Sequence, residues 1–101
     1  MYLVQVEGEL DLYSSPELLR TLERLATDAR SIVVDLSRTT FVDSTGIGVL
    51  VAGTKLMRLR GDELHIAGAT PLTSKSLTTA GLQTFFSLVP TVAEAVTRGP
   101  R

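Results

Sequence analysis

The sequence predicts a small single-domain α/β fold: about four mostly parallel strands, with helices packed mainly on one face. Two observations carry that prediction. Short apolar runs alternate with helical patterns about four times along 101 residues, the signature of βα units around a parallel sheet. The run Ser31-Ile32-Val33-Val34-Asp35-Leu36 is nearly all apolar, as a strand covered on both faces requires. If successive strands lie side by side, right-handed crossovers stack the helices on one face, and the other must be polar or covered differently.

The elements follow in order. Tyr2 to Glu9 is a β-rich stretch, with Leu3, Val4, Val6 and Leu10 apolar. Ser14-Ser15-Pro16-Glu17 starts a helix, with a Ser cap, Pro at the first helical position and an acid in the first turn. Leu18, Leu22, Leu25 and Ala29 then share one face at helical spacing, with Leu19 and Ala26 beside them. After the Ser31–Leu36 strand, Ser37 to Asp43 reads as a loop. A second helix runs from about Ser44 to Arg60, and Gly61-Asp62 stops it. Leu64 to Gly68 is a strand; Thr70-Pro71 opens a third helix that runs to Ala80 and ends at Gly81. Phe85 to Val89 is a short strand, and Pro90-Thr91 opens a last helix. The domain is expected over residues 1–98, with 99–101 a flexible tail.

Composition narrows the function classes. Lys plus Arg is 10 and Asp plus Glu is 11, a net charge of -1, so the basic stripe of a nucleic-acid binder is missing. The longest apolar run, Ile47 to Ala52, is far short of the ~20 residues of a membrane span. With no membrane segment and no signal-peptide pattern at the N-terminus, a cytoplasmic protein is expected. There is no Cys and only one His, which removes thiol chemistry and His-rich metal sites. His65 sits between Leu64 and Ile66 and points to the opposite sheet face, as a surface or packed structural residue. Gly46-x-Gly48 lacks the third glycine of a dinucleotide loop, and no Gly-Lys-Ser/Thr follows it. Asp11, Asp35 and Asp43 form a weak candidate metal cluster without a second His or Glu at ligand spacing. No catalytic residue, no metal and no cofactor are therefore expected, and the chain is not read as an enzyme.

The informative segment is Phe41-Val42-Asp43-Ser44-Thr45-Gly46-Ile47-Gly48-Val49-Leu50-Val51. Locally it is a helix N-terminus in which Asp43 or Ser44 caps. Two glycines in the first turns cost about 1 kcal/mol each relative to Ala, and they expose backbone where something must approach closely. A helical wheel places Ser44, Gly48, Val51, Lys55 and Arg58 on one solvent-facing strip, with Val49, Leu50, Gly53, Leu56 and Met57 opposite. A small apolar centre with a charged rim reads as a modest partner surface.

Asp43-Ser44-Thr45-Gly46-Ile47-Gly48 resembles the Asp-Ser-[Ser/Thr]-Gly-[aliphatic]-Gly signature of bacterial anti-anti-sigma factors. These are stand-alone STAS domains, a module shared with the cytoplasmic tails of sulfate transporters. Gly8-Glu9-Leu10-Asp11, Val33-Val34-Asp35-Leu36 before Phe41-Val42-Asp43, and Leu64 to Gly68, Pro71 and Gly81-Leu82 are similar to the family pattern in the same order. The resemblance covers essentially the whole chain. It implies a small sheet with helices mainly on one face. It implies a partner-switching regulator of transcription: the unphosphorylated form binds an anti-sigma factor serine kinase and releases a sigma factor. Phosphorylation of the first signature Ser, here Ser44, ends that binding, and a metal-dependent serine phosphatase restores it. Asp11 and Asp43 are then expected to flank Ser44 and contribute to partner contact, with Thr45 as its neighbour and the lesser acceptor. The family usually has a further N-terminal strand, absent here before Gly8, so the first strand is expected to be an unprotected edge.

Two alternatives remain at this stage. One is a structural STAS subunit of a larger regulatory or transport complex; such relatives often carry Thr where this chain has Ser44. The other is a small metal-dependent enzyme built on Asp11, Asp35 and Asp43.

Overall fold

The structure is a computed structural model that describes residues 1–28 and 30–98. Ala29, expected on the first helix face, and the expected tail at 99–101 lie outside the described residues. The chain forms β1 (Tyr2–Gln5), β2 (Gly8–Leu10), α1 (Ser15–Ala26), β3 (Ser31–Asp35), β4 (Thr39–Val42), α2 (Ser44–Leu59), β5 (Glu63–Ala67), α3 (Pro71–Thr79), β6 (Ser87–Val89) and α4 (Val92–Arg98). The main sheet has four parallel strands in the order β1-β3-β5-β6. This is the predicted parallel sheet, with consecutive major strands adjacent.

The pleat divides the sheet residues between two layers. Val34 pairs with Val4 and with Ile66, and Ile32, Val34, Leu64 and Ile66 join the main core with Leu18 and Leu22 of α1 and Leu50 and Met57 of α2. Gly53 lets α1 and α2 close: a Cβ there would meet Leu22 Cδ1 at 2.7 Å and Leu64 Cδ1 at 3.0 Å. Leu77 brings α3 into the same core. The alternate residues Val33, Ala67 and Val89 point the other way and pack with Val92 and Ala95 of α4. Three helices thus share one face, and α4 covers part of the other with a small second core. His65 lies on that second face, as expected, buried with Nδ1 2.6 Å from the Ser87 hydroxyl.

Three details depart from the sequence reading. The β-rich stretch expected over Tyr2 to Glu9 divides into β1 and β2, which belong to different sheets. The segment expected to be a loop before Asp43 contains β4, which pairs in parallel with β2 as a separate two-stranded sheet. Thr39, Thr40, Phe41 and Val42 are β-branched or aromatic, which suits a strand. The polar Ser37-Arg38 before them, together with the shortness of the run, hides it. The expected strand from Phe85 begins only at Ser87, because Phe86 turns into the core and Phe85 packs edge-on to it, ring centroids 5.3 Å apart. At its other edge the main sheet ends on β1, where Tyr2 and Leu3 are exposed.

Candidate functional site

The site is built where β2 and β4 end. Leu10 pairs with Val42, and the Asp43 N–H donates to the Leu10 carbonyl at 3.1 Å. Asp11 and Asp43 therefore leave adjacent strands side by side, at the carboxyl edge where α/β proteins place their sites.

Asp43 is the cap of α2. Its backbone is extended and its Oδ1 accepts from the Gly46 N–H at 2.9 Å. This settles the two-way reading of the helix start: Asp43 satisfies an orphan helix donor, and Ser44 is the first helical residue. The Ser44 side chain is exposed, and its hydroxyl has no hydrogen-bond partner among the described residues. A serine relieved of capping at the positive end of a helix dipole has its oxygen free for chemistry supplied from outside.

The two glycines do different work. Gly46 is buried against β2: a Cβ there would stand 2.6 Å from the Leu10 carbonyl oxygen and 2.8 Å from Leu10 Cγ. It is glycine so that α2 can sit down on the β2–β4 pair, which corrects the expectation that it exposes backbone to a partner. Gly48 is exposed, and a Cβ there would meet nothing within 4 Å. Packing gives no reason for a helix-weakening residue at that place. Gly46→Ala is expected to cost about 1–3 kcal/mol by overpacking. Gly48→Ala is expected to add about 0.5–1 kcal/mol of stability. Urea unfolding midpoints should therefore move in opposite directions.

Asp11 is tied into the turn that leads to α1. Its Oδ1 accepts from the N–H groups of Tyr13 at 3.0 Å and Ser14 at 3.1 Å. The Ser14 N–H, with the Tyr13 N–H, holds the carboxyl below the usual aspartate range against the opposing effect of burial. Ser14 is not the side-chain cap expected from sequence. Its hydroxyl donates instead to the Glu9 carbonyl at 2.7 Å and accepts from the Asp11 N–H at 3.0 Å, stitching β2 to α1. This turn lifts Leu12 and Tyr13 into solvent, Tyr13 at 89% exposure. Neither was singled out from sequence; the available signal was two large apolar residues wedged between a strand end and a helix start.

The strip along α2 is only partly as expected. Leu50 and Met57 are fully buried, and Lys55 is exposed. Val51 is half-buried against the core, and Thr45 is half-buried. Arg58 turns inward: its Nε pairs with Glu63 Oε1 at 3.1 Å, one amino group donates to the Phe85 carbonyl at 2.6 Å, and the guanidinium lies 4.8 Å from the Phe85 ring centroid. These partners come from β5 and the turn before β6, which no helical wheel can foresee. Arg58→Ala should cost about 1–2 kcal/mol by removing the part-buried guanidinium from Glu63 and from the Phe85 carbonyl, whereas Lys55→Ala should stay within about 0.5 kcal/mol. Thermal unfolding of the two variants reads the difference.

The third candidate carboxylate, Asp35, is engaged elsewhere. Burial pushes its pKa up, but the Ser37 N–H and hydroxyl, the Gln5 amide and Arg38 outweigh that and hold it below the usual range. Among the described residues, no three His, Cys, Asp or Glu side chains are grouped so as to hold a metal ion. No helix among them is long and apolar enough to cross a membrane.

The fold and this site define a class: a small parallel α/β module that presents, among its described residues, an unpartnered serine hydroxyl and an open glycine in the first turns of one helix. The chain belongs to the STAS domain family, whose family model matches residues 1–95. It is 36% identical over 83 residues to the anti-sigma-B factor antagonist of Staphylococcus aureus strain NCTC 8325, covering 81% of this chain and 77% of the relative. A crystal structure of an anti-sigma factor antagonist from Mycobacterium paratuberculosis matches with a TM-score of 0.85 at 28% identity, over 95% of this chain and 82% of that one. The unphosphorylated form of the anti-sigma factor antagonist SpoIIAA matches with a TM-score of 0.81 at 19% identity, over 95% and 84% of the two chains. The Bacillus protein is also known in its phosphorylated form, which matches at 0.72.

Proposed function

We propose that this chain is an anti-sigma factor antagonist whose unphosphorylated form binds an anti-sigma factor serine kinase in the cytoplasm and so releases a sigma factor. Phosphorylation of Ser44 switches it off. One observation carries the reading: Ser44 is exposed and free at the start of α2 because Asp43 takes the capping role. The relative in Staphylococcus aureus is an antagonist of an anti-sigma factor, and SpoIIAA exists in both phosphorylation states; both support the same reading.

In the switch, Ser44 Oγ takes the γ-phosphoryl group of ATP bound to the kinase. The Oγ–P bond forms as the bond to the ADP oxygen breaks, and the hydroxyl proton passes to a base on the kinase. A metal-dependent serine phosphatase reverses the change by hydrolysis. Contact is made by Ser44, Thr45, Gly48 and Lys55, with Leu12 and Tyr13 as an apolar rim. Asp11, Asp43 and Gly46 hold that surface in shape, and Val51 and Arg58 brace it from within. The chain's own role is binding, with no turnover of its own.

The test is displacement. The unphosphorylated chain, added to a preformed complex of the cognate anti-sigma kinase and its sigma factor, should release free sigma factor on gel filtration. A complex left intact at saturating chain would contradict the reading.

A further inference from the structure

Between the first turn of α2 and the outer side of α3 lies a cleft of about 460 Å³, lined by Ser44, Ile47, Leu72, Lys75, Ser76 and Thr79 among others. Helix α3 is fixed in place. Thr70 caps it, with its hydroxyl accepting from the Thr73 N–H, and Thr73 and Leu77 are fully buried. Lys75 and Leu72 are exposed on its free side. Lys75 has no carboxylate within ion-pair distance among the described residues. An unpaired cation and the free Ser44 hydroxyl thus line one cleft with Ile47 and Leu72.

We infer that Lys75 is the intramolecular counter-ion of phosphorylated Ser44. The inference rests on the reading of Ser44 as phosphoacceptor and adds what becomes of the phosphate once it is there. A phosphoserine carries about -1.5 to -2 charge at pH 7. Two acids stand by this helix start: Asp43 precedes Ser44, and Asp11 follows the strand paired with β4. The cations of α2 do not serve it. Arg58 is held by Glu63 and Phe85, and Lys55 stands eleven residues on, about 16 Å along the helix axis at ~1.5 Å per residue. Lys75, on a flexible four-carbon stem in the cleft wall, is the cation that can follow the phosphate. Phosphorylation then changes the face twice: it adds a dianion and draws an exposed cation of α3 toward it.

The experiment uses the chain with phosphoserine installed at position 44 during translation, so no kinase is involved. The ³¹P chemical shift followed against pH gives the second ionisation of the phosphate. A paired ammonium favours the dianion, so at low salt the native phosphoprotein should ionise at a pH lower by about 0.5 or more than its Lys75→Gln variant, discounted for solvent exposure. Lys75→Arg should restore the lower value, and 1 M salt should shrink the difference. The unphosphorylated Lys75→Gln domain should unfold at the native midpoint, which separates loss of charge from loss of fold. The same ionisation in native and Lys75→Gln phosphoproteins would overturn the inference. A kinase that leaves Ser44 untouched would sink the phosphoacceptor reading while leaving this titration interpretable.

Discussion

Replacing Ser44 with Ala is expected to abolish phosphate incorporation by the anti-sigma kinase and leave stability within about 0.5 kcal/mol of the parent. The second half follows from geometry: Asp43, not Ser44, caps α2, so no cap is lost. The unphosphorylatable domain should still bind the kinase and act as a permanently active antagonist. Asp43→Ala, in contrast, should cost about 1 kcal/mol without removing the acceptor. Ser44→Asp should fold, since an acid in the first turn suits the helix dipole, and should bind the kinase poorly because it adds negative charge beside Asp43. Thr45→Ala should still take phosphate. Intact mass and peptide mapping after incubation with kinase and ATP read all four variants. Phosphate on Thr45 with Ser44 unmodified would contradict the assignment.

The second large effect is on the fold. Leu50→Asp should leave the chain unfolded or molten, seen as loss of the cooperative transition in circular dichroism. Leu50 has no exposed surface and lies among sheet residues Ile32, Val34 and Leu64 and helix residues Leu18 and Leu22 in one core. A carboxylate there has no partner, and its burial costs several kcal/mol, on top of the lost packing of about 2–5 kcal/mol. A domain of this size holds only about 5–15 kcal/mol in total. Lys55→Glu, one turn further along α2 and exposed, should change stability by less than about 0.5 kcal/mol. A cooperative, native-like Leu50→Asp domain would mean that α2 sits on the sheet by a different face.

The parts legible in the sequence are those set by local chemistry. Pro16 and Pro71 mark helix starts, Gly61 and Gly81 stand just past helix ends, and the apolar run at 31–36 gives the central strand. The site was legible as a segment, because a polar cap with glycines in the following turns is unusual in a helix. Its internal division of labour was not. Asp43 and Ser44 are both good caps, and only the 2.9 Å bond to Gly46 separates them. Gly46 and Gly48 read alike in sequence, as glycines in the first turns of a helix, and the approach of Leu10 marks the first as the packing glycine and leaves the second open. Arg58 and Lys55 share a face by spacing, yet Glu63 and Phe85 draw one of them inward. Lys75 lies thirty-one residues beyond Ser44 in sequence and reaches the site only because α3 packs beside β4.

Phosphate at the first residue of α2 is expected to be tolerated by the helix dipole, so the proposed switch should act on the interface and leave the domain folded. A like charge brought into a desolvated interface costs several kcal/mol, a factor of hundreds or more in affinity. The most direct measurement is the affinity of the cognate anti-sigma kinase for two preparations of this chain, one unmodified and one carrying phosphoserine at 44, by isothermal titration calorimetry. The unmodified chain should bind and the phosphorylated chain should bind at least about 100-fold more weakly, both with unchanged circular dichroism. Equal affinities for the two preparations would contradict the switch.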